Sequence, residues 1–142
     1  MEATKLYRGR LIDHIQLVVR DLSKTQRFYG AIFEVLGIPI AGEGEGYFYA
    51  DELFVSSRSS PASAGELTGR VHLAFAARDR EMVQRFHAAG LGAGGTDHGK
   101  PGDRPYHPGY YAAFLLDPDG NNIEAVYHGP AKRSAEAIEI SF

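Results

Sequence analysis

His-Ile-Gln-Leu-Val-Val-Arg-Asp-Leu-Ser-Lys-Thr-Gln-Arg-Phe-Tyr, residues 14–29, is answered by His-Leu-Ala-Phe-Ala-Ala-Arg-Asp-Arg-Glu-Met-Val-Gln-Arg-Phe-His, residues 72–87. The two stretches align without a gap and agree at His14/His72, Arg20/Arg78, Asp21/Asp79, Gln26/Gln84, Arg27/Arg85 and Phe28/Phe86. Each reads as an apolar strand, an Arg-Asp corner and a helix, so the chain is one module written twice. A histidine heads both copies, and two positions related by a pseudo-twofold axis can face one site from opposite sides.

A length of 142 residues allows a single domain with a real core but not two independent ones. The expected organisation is one domain over 1–142, with module 1 at about 10–57, a linker at 58–69, module 2 at about 70–128 and a tail at 129–142. Fifteen Lys and Arg against 18 Asp and Glu give a net charge of −3 with no long run of either sign, which argues against a nucleic-acid partner. The absence of cysteine removes disulfides, thiolate ligands and a Cys nucleophile. No membrane-length apolar run occurs, and the first thirty residues lack the pattern of a signal peptide, so a cytoplasmic protein with a small-molecule partner and no membrane partner is expected.

Leu11 to Val19 alternates, with Ile15, Leu17 and Val19 on one face and His14, Gln16 and Val18 on the other. Asp21 caps a helix whose Leu22, Thr25, Tyr29, Ile32, Phe33 and Leu36 recur at helical spacing up to Gly37 and Pro39. Gly42 to Gly46 reads as a turn, and Tyr47–Ala50 with Leu53–Ser56 as a hairpin. In the second copy a strand over Val71–Ala77 precedes a helix from about Arg80 to Ala89, stopped by Gly90. A short strand near Leu91–Gly95, a long loop from Asp97 to Gly109, a strand at Tyr110–Leu116, the turn Asp117-Pro118-Asp119-Gly120-Asn121 and a last strand at Asn122–His128 follow. The tail reads equally as an extra strand over Ala137–Phe142 or as a frayed end. The expected fold class is α+β: two tandem βαβββ modules forming a cupped mixed sheet with helices outside.

Comparing strand faces puts His72, Ala74 and Ala76 opposite the helix-facing Leu73, Phe75 and Ala77, and Glu124, Val126 and His128 opposite Ile123, Ala125 and Tyr127. His14, His72 and Glu124 then project into one concavity lined partly by alanine. Two imidazoles and a carboxylate hold one side of a divalent metal and leave positions open for water or a bidentate substrate, and they suit Zn²⁺, Ni²⁺, Mn²⁺ or Fe²⁺ alike.

The doubled module, the strand openings Asp13-His14-Ile15 and Val71-His72-Leu73, and above all Asp117-Pro118-Asp119-Gly120-Asn121-Asn122-Ile123-Glu124 resemble the vicinal oxygen chelate superfamily of glyoxalases, extradiol dioxygenases and bleomycin-resistance proteins. The resemblance spans about residues 10–128. It implies metal ligation at His14, His72 and Glu124, a glyoxalase-like lyase or isomerase as the first choice of activity, and a homodimer. An Fe(II) extradiol-type dioxygenase and a metal-free sequestering protein are the alternatives. One departure is that Phe54 stands where a glyoxalase commonly has a fourth ligand, while Glu52 falls in a turn.

His107, Tyr110 and Gln16 are the candidate catalytic groups, since imidazole and phenol relay protons near neutral pH. Arg104, Tyr106 and Tyr49 are the candidate substrate-binding groups, Arg104 because a guanidinium takes a carboxylate or phosphate in a fork. His98 and His128 are assigned no role.

Overall fold

In the computed structural model, which describes residues 5–9, 12–61, 63 and 66–142, the element order is β1 (Lys5–Arg8), β2 (Ile15–Val19), α1 (Leu22–Leu36), β3 (Gly42–Gly44), β4 (Tyr47–Ala50), β5 (Leu53–Ser57), β6 (His72–Ala76), α2 (Arg80–Gly92), β7 (Thr96–Asp103), β8 (Tyr111–Leu116), β9 (Asn122–Tyr127) and β10 (Ile138–Ser141). Two βαβββ modules are present, each building a four-stranded mixed sheet. The orders β2-β5-β4-β3 and β6-β9-β8-β7 repeat the same topology. Leu11, where the first alternating run begins, lies outside the described residues.

The repeated Arg-Asp corner has a physical cause. Asp21 Oδ1 accepts from the Lys24 backbone N–H at 3.0 Å, and Asp79 Oδ1 accepts from that of Met82 at 2.7 Å. Each aspartate thus satisfies an N–H group that the first helical turn leaves without a partner. Helix α1 ends at Gly37, whose φ of 75° is the left-handed cap that glycine adopts without a Cβ penalty.

Expectations and structure part company in the middle of module 2. Helix α2 runs through Gly90 to Gly92, so no strand forms at Leu91–Gly95. Gly90 is not a stop but a contact, because a Cβ there would run into the Leu115 side chain and press on Ile32 and Phe28. The expected loop from Asp97 is mostly strand β7, irregularly paired with β8 through shifts between Asp97 and Gly99 and between Gly99 and Gly102. Glycine and proline masked the strand signal there, and the irregular register is what they permit. Part of the expected Gly42–Gly46 turn is strand β3. The tail does form a strand: β10 pairs antiparallel with β1, from Lys5 opposite Ser141 to Arg8 opposite Ile138.

The helix-facing sides of both sheets join α1 and α2 in one apolar cluster that includes Leu17, Phe28, Tyr29, Ile32, Phe48, Val55, Val83, Phe86, Leu115 and Ile123. Phe33 of α1 meets Phe75 of β6 edge-on at 5.2 Å. Among the described residues, no hydrogen-bonded strand pairing joins the two sheets. The helices and the core link the modules, and the opposite sheet faces are left open. No helix among the described residues is long and apolar enough to cross a membrane.

The Asp117–Asn121 turn connects the halves. The Asp117 carboxylate is 4% exposed and accepts from Asp119 N, Asn121 N, Asn121 Nδ2 and, from module 1, the Tyr29 hydroxyl at 2.7 Å. Burial, and next the negative charge of Asp117, push the Tyr29 phenol well above its ordinary value, so it stays a donor. Tyr29→Phe removes one hydrogen bond to a buried charge and is expected to lower unfolding free energy by about 1.5–3 kcal/mol. Urea denaturation measures it, and an unchanged midpoint would show that this bond does not couple the modules.

Candidate functional site

The strand registers settle which positions are equivalent. In module 1 Ile15 faces Leu53 and Gln16 faces Phe54; in module 2 Leu73 faces Ile123 and Ala74 faces Glu124. Phe54 is therefore the counterpart of Glu124. Glu52 lies in the turn before β5, where burial raises its carboxyl above the ordinary carboxylate value.

On the open face of module 2, His72 Nε2 lies 2.8 Å from Glu124 Oε1. The other Glu124 oxygen accepts from the Tyr110 hydroxyl. Glu124 is 3% exposed, whereas half of the His72 side-chain surface is open. A nearly buried carboxylate at an open face is costly unless its oxygens are bonded, and here both are. The reason His72 stays accessible is local: its strand neighbours on the same face are Ala74 and Ala76, too small to cover it. Burial and next the bond to Glu124 raise the Tyr110 phenol above its ordinary value, which keeps it protonated and donating.

The surroundings of this pair are rich in rings. Phe114 meets His72 edge-on at 5.9 Å, and the Arg104 guanidinium lies over the Phe114 ring at 5.3 Å. Arg104 Nη2 donates to the Lys100 carbonyl at 2.8 Å and Nη1 to the Asp103 carbonyl at 3.3 Å, so the cation is held in place. Tyr106 packs edge-on against Tyr110 at 4.9 Å and is mostly exposed.

His107 Nε2 and His128 Nδ1 are 2.9 Å apart, the two rings lie nearly parallel, and Tyr110 meets both edge-on. His128 was the residue that sequence reasoning passed over. Its place two and four residues beyond Val126 and Glu124 on one strand face was the signal that could have found it.

His14 stands apart from that group. It precedes β2, is exposed, and its Nδ1 lies 2.7 Å from Asp13 Oδ1. Among the described residues of one chain, no three His, Asp or Glu side chains gather closely enough to hold a metal. Gln16 and Tyr49 lie on the open face of module 1, with Gln16 Nε2 donating to Ser56 Oγ at 3.0 Å. A cavity of about 340 Å³ lies at the seam between modules, lined by Ile15, Phe33, Leu53, Leu73 and Phe75. It shares Ala74 and Ala76 with the His72 strand but does not reach His72 or Glu124.

Tyr110→Phe is expected to leave the buried Glu124 oxygen without its protein donor and to cost about 1–3 kcal/mol of stability at neutral pH, read from denaturant unfolding. No loss would mean that water replaces the phenol freely.

A family model for the Glyoxalase/Bleomycin resistance protein/Dioxygenase superfamily matches residues 11–125. A crystal structure of a glyoxalase/bleomycin resistance protein from Albidiferax ferrireducens T118 is 32% identical, with 82% of this chain and 98% of that one covered and a TM-score of 0.69. A glyoxalase-related enzyme from Fulvimarina pelagi is 18% identical over 92% of this chain and 97% of that one, also at a TM-score of 0.69. Lactoylglutathione lyase from Agrobacterium tumefaciens is 20% identical over 83% of this chain and 93% of that one, at 0.59. The last two comparisons concern the fold alone. A search of curated proteins finds no match.

Proposed function

We propose that this chain, which belongs to the glyoxalase/bleomycin resistance protein/dioxygenase superfamily, is a metal-dependent enzyme of glyoxalase-like lyase or isomerase type that takes a small substrate through two neighbouring oxygens. The observation that carries the reading is the division of donors between two open faces. His72 and Glu124 sit together on one, and His14, exposed just before β2, falls by alternation with Gln16 on the side of the other. A second copy that lays its module 1 face over this chain's module 2 face completes a His14, His72 and Glu124 set, so the working unit is a homodimer.

The donors suit a divalent ion such as Zn²⁺, Ni²⁺, Mn²⁺ or Fe²⁺. Asp13 holds His14 by Nδ1 and leaves Nε2 as a lone-pair donor, the usual outer support for a ligating imidazole. Asn122 stands in the corresponding place beside His72: its Nδ2 lies 3.1 Å from His72 Nδ1, and its buried Oδ1 has no hydrogen-bond partner among the described residues. A half turn of the amide presents that oxygen to an Nδ1–H and gives Nε2 its lone pair.

When bound, the ion supplies Lewis acidity to the substrate's two oxygens. The chain's own groups do the rest. Tyr110, kept protonated, donates to one Glu124 oxygen and holds that carboxylate in position. His107 and His128 share one hydrogen between facing nitrogens and can accept a proton at one ring and release it at the other. Gln16 and Tyr49 contact the substrate from module 1, and Arg104 and Tyr106 from module 2.

Metal analysis tests the shared site. Wild type is expected to hold one ion per chain, and His14→Ala and Glu124→Ala are each expected to hold little. Co-refolding the two variants gives mixed dimers with one intact site, so about a quarter of the wild-type content returns for a twofold assembly. Metal-free wild type would end the reading, and no recovery on mixing would place all three ligands within one chain.

A further inference from the structure

The seam cavity of about 340 Å³ has no part in the metal reading, yet it falls within the roughly 300–1,000 Å³ of small-molecule sites. Both modules build its wall: Ile15 and Leu53 come from one sheet, Leu73 and Phe75 from the other, and Phe33 and Leu36 from α1. The tail borders it with Arg133, Glu136 and Ala137, none of which is a large apolar residue. An apolar hollow left unfilled forfeits the contacts that a close-packed interior makes.

Two carboxylates line the same cavity, those of Asp51 and Glu52 in the turn between β4 and β5. Both residues are half-buried, and the cations around them are engaged elsewhere. Arg8 donates from Nη1 to the Asp51 carbonyl at 2.6 Å and to the Tyr7 carbonyl at 3.1 Å, and from Nε to Asp13 Oδ1 at 3.3 Å. Arg133 Nη2 donates to the Glu136 carbonyl at 2.8 Å. Among the described residues, no Lys or Arg nitrogen stands within salt-bridge distance of either carboxylate. Burial raises both carboxyls above their ordinary values, as it does for a charge that lacks a counter-ion.

We infer that the seam cavity is a binding site for a small amphiphilic cation, a protonated alkyl amine whose chain lies between the modules and whose ammonium meets Asp51 and Glu52. An ammonium has three donors and no acceptor, which suits two carboxylates that lack a cationic partner. An anion would face these two charges and that of Glu136. A neutral molecule would fill the apolar wall but leave the carboxylates as they are. Because its chain touches both modules, the amine also ties them together in the folded state and raises the unfolding temperature. The inference depends neither on the metal nor on a second copy.

Protein-observed NMR titration of chelator-treated protein with n-hexylamine, hexan-1-ol and hexanoate, read at the Leu53 and Leu73 methyl groups, separates charge from chain. Hexylamine is expected to bind about tenfold more tightly than hexan-1-ol, as charge-assisted hydrogen bonds add to the same apolar contact, and hexanoate most weakly. Asp51→Asn combined with Glu52→Gln brings hexylamine to the level of the alcohol. Asparagine tolerates the φ of 43° at residue 51 and glutamine keeps the volume of glutamate, so circular dichroism is unchanged. Ala137→Leu, on the exposed tail, narrows the cavity and weakens the amine and the alcohol together. Equal binding of amine and alcohol, preference for hexanoate, or an amine preference that survives the double substitution overturns the inference. So does the absence of shifts at both leucines with every probe.

Discussion

A single buried carboxylate organises this molecule. Asp117 collects four donors, three from its own turn and one from Tyr29 of the other module. An unpaired carboxylate at that depth would cost several kcal/mol, so the turn must close in this one way and Tyr29 must reach it. Two further bonds extend the constraint. Asn121 Oδ1 accepts from the Val71 N–H, which fixes the head of β6, and Asp119 Oδ2 accepts from the Arg20 N–H, which fixes the corner of module 1. His72 follows Val71 by one residue and Glu124 follows Asn121 by three. The pair at the candidate site inherits its spacing from the turn.

The same packing explains why the faces stay open. Helix α1 spends its apolar side on α2 and on the helix-facing side of both sheets, with Phe28, Ile32 and Phe33 reaching into module 2. Little apolar surface is then left to draw one open face over the other within the chain. Ala74 and Ala76 opposite a nearly buried Glu124 make sense for a face that receives something.

The repeat, the capping aspartates, the helix faces and the alternation of His72 with Leu73 were legible from the chain because each depends on neighbours within a few residues. The equivalence of Phe54 and Glu124 was legible too, since the same parallel pairing recurs within each module. Strand β7 was not: its glycines and prolines suppress the usual strand pattern, and it is held by pairing with β8 rather than by its own preference. The meeting of His107 with His128 was hidden for a similar reason, as the two are brought together by the return of a loop. That His14 stands away from His72 and Glu124 could not be read from sequence at all, because alternation gives the side of a strand and not the distance between sheets.

The most direct test of the account is a crystal structure of the metal-loaded protein with the ion located by anomalous scattering. The account requires the ion bonded to His72 Nε2 and Glu124 of one copy and to His14 Nε2 of a second, with Asp13 still on His14 Nδ1. An ion bound elsewhere, or copies that leave the two open faces apart, would contradict it.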